Sequence, residues 1–142
     1  MVLGQKKGDK MLKARDIMTK RVFSVKADTP IFEALKIIAS YGISGLPVVE
    51  DDMTLIGIVS EKDVLSLFYN DDDGEITVSD FMTQPPLYFD EDESLMDVCD
   101  FLRKNVFRRV PITSKGKLVG IISIRDVIEY ILQLKCKRVA TG

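Results

Sequence analysis

The sequence predicts an α/β (α+β) fold of two β-α-β-β-α repeats packed together. Three observations predict it: a long internal repeat, an alternation of strand-like and helical apolar patterns within each copy, and an ordinary globular composition. The repeat carries most of the argument. Asp16-Ile17-Met18-Thr19 returns as Asp80-Phe81-Met82-Thr83, and Leu46-Pro47-Val48 as Val110-Pro111-Ile112, both at an offset of 64 (16 to 80). The run Leu55-Ile56-Gly57-Ile58-Val59-Ser60-Glu61-Lys62-Asp63 returns as Leu118-Val119-Gly120-Ile121-Ile122-Ser123-Ile124-Arg125-Asp126 at an offset of 63 (55 to 118). The slip lies where Glu50-Asp51-Asp52-Met53-Thr54 faces Ser114-Lys115-Gly116-Lys117, a turn, and turns tolerate length changes at least cost.

The chain therefore divides into a basic N-terminal tail (1–13), a first repeat (14–69), an acidic linker (70–77), a second repeat (78–132) and a C-terminal tail (133–142). In the first repeat Val22-Phe23-Ser24-Val25 reads as a short extended piece. Asp28-Thr29-Pro30 then supplies a cap residue and a proline for a first helical turn. Ile31, Ala34, Leu35, Ile38 and Ala39 recur at helical spacing, and Gly42 suits a left-handed C-cap. Two β-branched runs, Gly45 to Val49 and Leu55 to Val59, read as a strand pair around a polar turn. Ser60 then opens a second helix with Val64, Leu65, Leu67 and Phe68 on one face. The second repeat follows the same order, with Asp92-Glu93-Ser94 capping a helix from Leu95 to Lys104. One copy of roughly 55–60 residues has too little interior to be comfortably stable, so the two are expected to share a core.

Composition narrows the function. Hydrophobic residues make up 46% and charged residues 30% of the 142, a balance that folds. A net charge of −2 argues against a duplex-DNA binder, which concentrates positive charge. No apolar run nears the roughly 20 residues needed to cross a bilayer, and Met1 to Lys10 lack the apolar stretch of a signal peptide, so no membrane insertion and a cytoplasmic location are expected. Histidine is absent, which removes the commonest general base and metal ligand. Cys99 and Cys136 have no CxxC spacing and suggest neither a disulfide framework nor a metal site. A catalyst is not expected.

Each repeat closes on Gly-x-x-Ser-x-x-Asp: Gly57, Ser60 and Asp63, then Gly120, Ser123 and Asp126. Ser-x-x-Asp before an apolar run is also the pattern of a capping box, and a serine can serve both purposes. The repeats differ before their prolines. Phe107-Arg108-Arg109-Val110 stands where the first repeat has Ile43-Ser44-Gly45-Leu46. Paired guanidiniums can grip phosphate oxygens in bidentate fashion or remain solvated charges; Ser44-Gly45 cannot form such bidentate contacts.

Taken together, the opening Asp-x-Met-Thr, the apolar-Pro-apolar strand and the closing Gly-x-x-Ser-x-x-Asp, in order and duplicated, resemble the CBS-domain family over about positions 14 to 132. The resemblance implies two repeats packed sheet to sheet with pseudo-twofold symmetry, leaving two clefts for an adenosine-type nucleotide, AMP ahead of ATP or ADP. By this likeness Ser60 with Asp63, and Ser123 with Asp126, would hold ribose hydroxyls. Thr19, Phe23, Ile43, Ser44 and Gly45 would complete the first cleft and Thr83, Tyr88 and Phe107 the second. Ile58 and Ile121 would pack against adenine, Arg108 and Arg109 would clamp phosphate, and Lys62 and Arg125 would add positive charge at the cleft mouths. The function implied is a regulatory sensor that signals to an unidentified effector protein. The alternative is an interaction module with empty clefts. A homodimer is expected through the apolar faces Val64-Leu65-Phe68 and Val127-Ile128-Ile131.

Overall fold

Strand pairing follows the duplicated β-branched runs. The computed structural model describes residues 12–69 and 75–141, with side chains as far as residue 135. Lys6, Lys7 and Lys10 of the expected basic tail, Asn70 to Gly74 of the expected linker, and the side chains of Cys136, Lys137 and Arg138 lie outside the described residues. In chain order the elements are α1 (Ala14–Ile17), α2 (Ile31–Tyr41), β1 (Gly45–Val49), β2 (Leu55–Ser60), a 3-10 helix (Asp63–Tyr69), a 3-10 turn (Val78–Asp80), β3 (Phe89–Asp90), α3 (Leu95–Lys104), β4 (Arg109–Ser114), β5 (Lys117–Ser123) and α4 (Ile124–Thr141). They form two compact units whose boundaries do not follow the repeats. One comprises 12–21, 88–115 and 119–141, the other 22–69, 75–87 and 116–118.

In the second of these units β1 and β2 pair antiparallel, Gly45 opposite Ser60 and Pro47 opposite Ile58, with a register shift between Val48 and Val49. The first repeat's extra residue lies beyond the bulge, in the turn, where the Glu50 N–H donates to the Thr54 carbonyl at 2.9 Å. The turn places Met53 at φ +73°, and the Asp52 carboxylate accepts from the Thr54 N–H at 3.0 Å and its hydroxyl at 2.7 Å. Side chains of β2 alternate between buried and half-buried, whereas β1 is buried from Leu46 to Val49. The extended piece at 22–25 reduces to a single parallel bridge from Val25 to Val48.

Helix α2 starts one step later than its apparent cap. Pro30 occupies the cap position and no side chain caps the helix. Instead the Ile31 N–H donates to the Ile76 carbonyl at 2.9 Å and the Val78 N–H to Thr29 at 2.9 Å. Backbone from the supposed linker thus takes the capping role, and Pro30 bridges Thr77. Gly42, at φ +61°, ends the helix as expected. Ile31, Ala34 and Ile38 face a core with Val25, Leu46, Val48, Val59, Val64 and Val78, while Ala39 is exposed.

The helix expected after Ser60 is a 3-10 helix. At three residues per turn, positions i and i+3 stack, which splits the expected single face in two. Val64 and Leu67 turn inward. Leu65 and Phe68 are 67% and 90% exposed.

In the other unit β3 lies parallel to β4, Phe89 opposite Ile112, within a sheet ordered β3-β4-β5. The β4-β5 turn holds Lys115 and Gly116 both at positive φ, the conformation of a tight two-residue hairpin. Ser94 Oγ accepts the Met96 N–H at 3.2 Å, capping α3 as expected, and Leu95, Val98 and Leu102 are its buried face. Lys13 and Arg15 bridge Asp92 at 3.7 and 2.7 Å, so the basic stretch is anchored there. Helix α4 continues through the expected C-terminal tail. Its exposed apolar line is Ile124, Ile128 and Leu132; Val127 and Ile131 are half-buried, a correction to the expected association face.

Candidate functional site

Each closing motif ends a strand and starts a helix, and its aspartate turns back on its serine. Asp63 Oδ2 accepts the Ser60 N–H at 3.0 Å while Ser60 Oγ accepts the Asp63 N–H at 3.3 Å. In the second copy the distances are 2.8 and 3.1 Å. This reciprocal pair is a capping box, so the bland reading of the motif holds in both repeats. It also fixes each carboxylate at a strand end with lone pairs to spare, since each oxygen accepts two hydrogen bonds.

The opening motifs dock on the opposite repeat's second strand. Thr19 and Ile121 exchange backbone hydrogen bonds at 2.8 and 2.9 Å, and Thr83 and Ile58 do so at 2.8 and 3.2 Å. The two threonines are therefore exchanged relative to the sequence expectation. Thr19 belongs with Ser123 and Asp126, its hydroxyl donating to Asp126 Oδ1 at 3.1 Å, and Thr83 belongs with Ser60 and Asp63. The motif glycines explain the docking. A Cβ on Gly57 would lie 3.0 Å from Met82 Sδ, and one on Gly120 would lie 2.5 Å from Met18 Sδ. Glycine leaves room for the methionine that each Asp-x-Met-Thr carries, tightly at Gly57 and with no space for a Cβ beside Met18 at Gly120. Met18 and Met82 were missed as site-building residues, although their position in the repeated motif was the available signal.

Around Ser60 and Asp63 the structure gathers Ser44 and Gly45 of the residues expected there. Gly45 pairs with Ser60, and a Cβ at Gly45 would meet the Val59 carbonyl at 3.0 Å. The Glu61 N–H donates to the Ser44 carbonyl at 2.8 Å, holding Ser44 beside the motif. Ile43 packs on the core from its edge. Phe23 stacks instead with Tyr41, ring centres 4.2 Å apart.

Around Ser123 and Asp126 the Ile124 N–H donates to the Arg108 carbonyl at 2.9 Å, the counterpart of the Glu61–Ser44 bond. Arg108 is exposed. Arg109, at the head of β4, has a buried Nε with no hydrogen-bond partner. Phe107 stacks on Phe101 at 5.8 Å. Tyr88 is exposed. Arg125 turns along α4 to Glu129 at 3.3 Å, and Lys62 is exposed next to its motif.

Other chemistry is sparse among the described residues. No cluster of acidic, cysteine or histidine side chains could hold a metal ion. No helix is long and apolar enough to cross a membrane. Cys99 is free and half-buried, and burial first, then the Asp100 charge, pushes its thiol up, which makes a poor nucleophile at neutral pH. An open cavity of about 530 Å³ is lined by Lys26, Asp28 and Glu50 to Asp52. None of these is a motif residue, and Lys26 is paired with Asp51.

Comparison with known proteins agrees with this geometry. The family model described as CBS domain matches residues 14–70 and 78–133. An inosine-5'-monophosphate dehydrogenase of Aquifex aeolicus is 36% identical over 123 residues, 85% of this chain and 25% of that protein. The chain spans less than half the length of the first curated relatives it matches. Among solved structures, the CBS-pair protein CBSX2 of Arabidopsis thaliana in complex with AMP is 34% identical, with a TM-score of 0.78 over 87% of this chain and 98% of that one. The CBS domain pair of MJ0100, in complex with 5'-methylthioadenosine and S-adenosylmethionine, is 26% identical, with a TM-score of 0.71 over 84% of this chain and 99% of that one.

Proposed function

The chain belongs to the CBS-domain family, with the α+β CBS-pair fold, and from that premise we propose that it is a regulatory module binding an adenosine-type nucleotide at its Ser-x-x-Asp motifs. It acts as a sensor and not a catalyst. AMP is the leading ligand, ahead of ADP and ATP, and the response passes to a separate effector protein. The free Cys99 fits the reducing conditions of a cytoplasm.

The observation that carries this reading is the Asp126 carboxylate. Its Oδ2 is fixed by the Ser123 N–H at 2.8 Å, and its Oδ1 stands 3.1 Å from the Thr19 hydroxyl. Oδ1 keeps a second lone pair, so a ribose hydroxyl can join Thr19 there without breaking the cap. Arg109 adds a buried Nε donor lacking an acceptor. A buried donor left unpaired costs about 1–3 kcal/mol, and a phosphate oxygen is an acceptor able to relieve it. Helix α4 also opens at this motif, with its N-terminal N–H groups favouring an anion.

The test is a thermal-shift panel of AMP, ADP, ATP, adenosine and GMP. Ligand at a hundredfold excess over its dissociation constant stabilises the fold by about 2.7 kcal/mol, so adenine nucleotides are expected to raise Tm clearly and GMP little. No shift with any adenine compound leaves the interaction-module reading in its place.

A further inference from the structure

The two motifs are built alike but carry opposite charge environments. Building on the nucleotide-binding reading, we infer that the Ser60–Asp63 site accepts an adenosine-type nucleoside without a 5'-phosphate, uncharged or cationic at that end, and disfavours AMP. Three differences from the Ser123–Asp126 site point the same way.

The residue after the motif serine is Glu61 in one copy and Ile124 in the other. Their backbones sit alike, each N–H bonded to the carbonyl of the residue just before β1 or β4, Ser44 in one and Arg108 in the other, at 2.8 and 2.9 Å. Glu61 thus puts a carboxylate where the other site has an alkyl group. Residues 22–87 also contain no arginine. Gly45 stands where Arg109 does, and its Cβ position is already closed by the Val59 carbonyl at 3.0 Å. Of the lysines there, Lys26 is paired with Asp51. Lys62 alone adjoins the motif, between Glu61 and Asp63. Finally, the motif leads into a seven-residue 3-10 helix, where the other leads into the 18-residue α4. The short helix offers little of the aligned N-terminal dipole that stabilises an anion. A dianionic phosphate would meet net negative charge at Ser60–Asp63, whereas a neutral thioether or a sulfonium cation would not.

The experiment uses the full chain carrying Asp126→Asn, Arg108→Ala and Arg109→Ala, which keeps a carbonyl acceptor for the Ser123 cap and removes the ribose acceptor and the guanidiniums of the other site. Adenosine, 5'-methylthioadenosine, S-adenosylmethionine and AMP are titrated by calorimetry, with circular dichroism to check the fold. The expected result is adenosine or 5'-methylthioadenosine binding on the order of tenfold more tightly than AMP, the size of one charge-assisted contact. S-adenosylmethionine binding above 5'-methylthioadenosine identifies a cation preference, and the reverse order a neutral one. Adding Glu61→Ile and Ser44→Arg is expected to reverse the preference toward AMP. AMP binding as tightly as adenosine in that triple variant overturns the inference while leaving the nucleotide-binding reading intact. Binding of no adenosine compound by the unsubstituted protein overturns both.

Discussion

At Gly120 a Cβ would fall 2.5, 2.8 and 3.1 Å from Met18 Sδ, Cγ and Cβ, so Gly120→Ala forces the whole Met18 side chain to move. Overpacking of this kind costs about 1–3 kcal/mol, measurable by urea denaturation. In a double-mutant cycle Met18→Ala should recover much of the loss, because the two residues touch. Additive losses would mean that the glycine is needed for something other than the methionine. Asp126 is the second decisive residue. Asp126→Ala should weaken adenine-nucleotide binding by about 1.5–3 kcal/mol, the value of a charged hydrogen bond, with Asp126→Asn losing less stability than alanine because it can still accept the Ser123 N–H. Unchanged affinity in a folded alanine variant would make the motif a cap alone. At this scale the duplicated motifs are legible in the sequence and their grouping across the repeats is not. The motifs marked Thr19 and Thr83, but nothing in a linear repeat says that each docks on the other repeat's strand.

Among the elements, two helix starts that look alike in sequence are held differently. Ser94 accepts the Met96 N–H at 3.2 Å, so Ser94→Ala should cost about 1 kcal/mol. Asp28 makes no such bond, because the Ile76 carbonyl receives the Ile31 N–H, and Asp28→Ala should stay within about 0.5 kcal/mol. Equal losses in denaturant melts would contradict the assignment. The difference was invisible beforehand, since the capping partner lies 45 residues away (31 to 76). Strand pairs, α3 and the Gly42 stop were legible because their causes are local: β-branched runs, a serine cap and a left-handed glycine. The 3-10 helix was not, because a Val64-Leu65-Leu67-Phe68 pattern suits either helical period.

For the molecule as a whole, the exposed apolar side chains point to self-association. Leu65, Phe68 and Tyr69 are 67%, 90% and 85% exposed, and Ile124, Ile128 and Leu132 line one face of α4. Exposed apolar surface on either unit is a candidate interaction face, and we propose a second copy of this chain as its occupant. Sedimentation should give a dimer at micromolar concentration, and Phe68→Glu with Ile128→Glu should give a monomer; an unsubstituted monomer would contradict this. We propose that the chain binds adenine nucleotides and reads their phosphate through Arg108 and Arg109. This is tested most directly by titrating AMP and adenosine into the unsubstituted protein and into an Arg108→Ala, Arg109→Ala variant. AMP is expected to bind more tightly than adenosine, the variant to lose AMP affinity far more than adenosine affinity, and the gap to narrow with salt. Equal AMP and adenosine affinities that the arginine substitutions leave unchanged would contradict it.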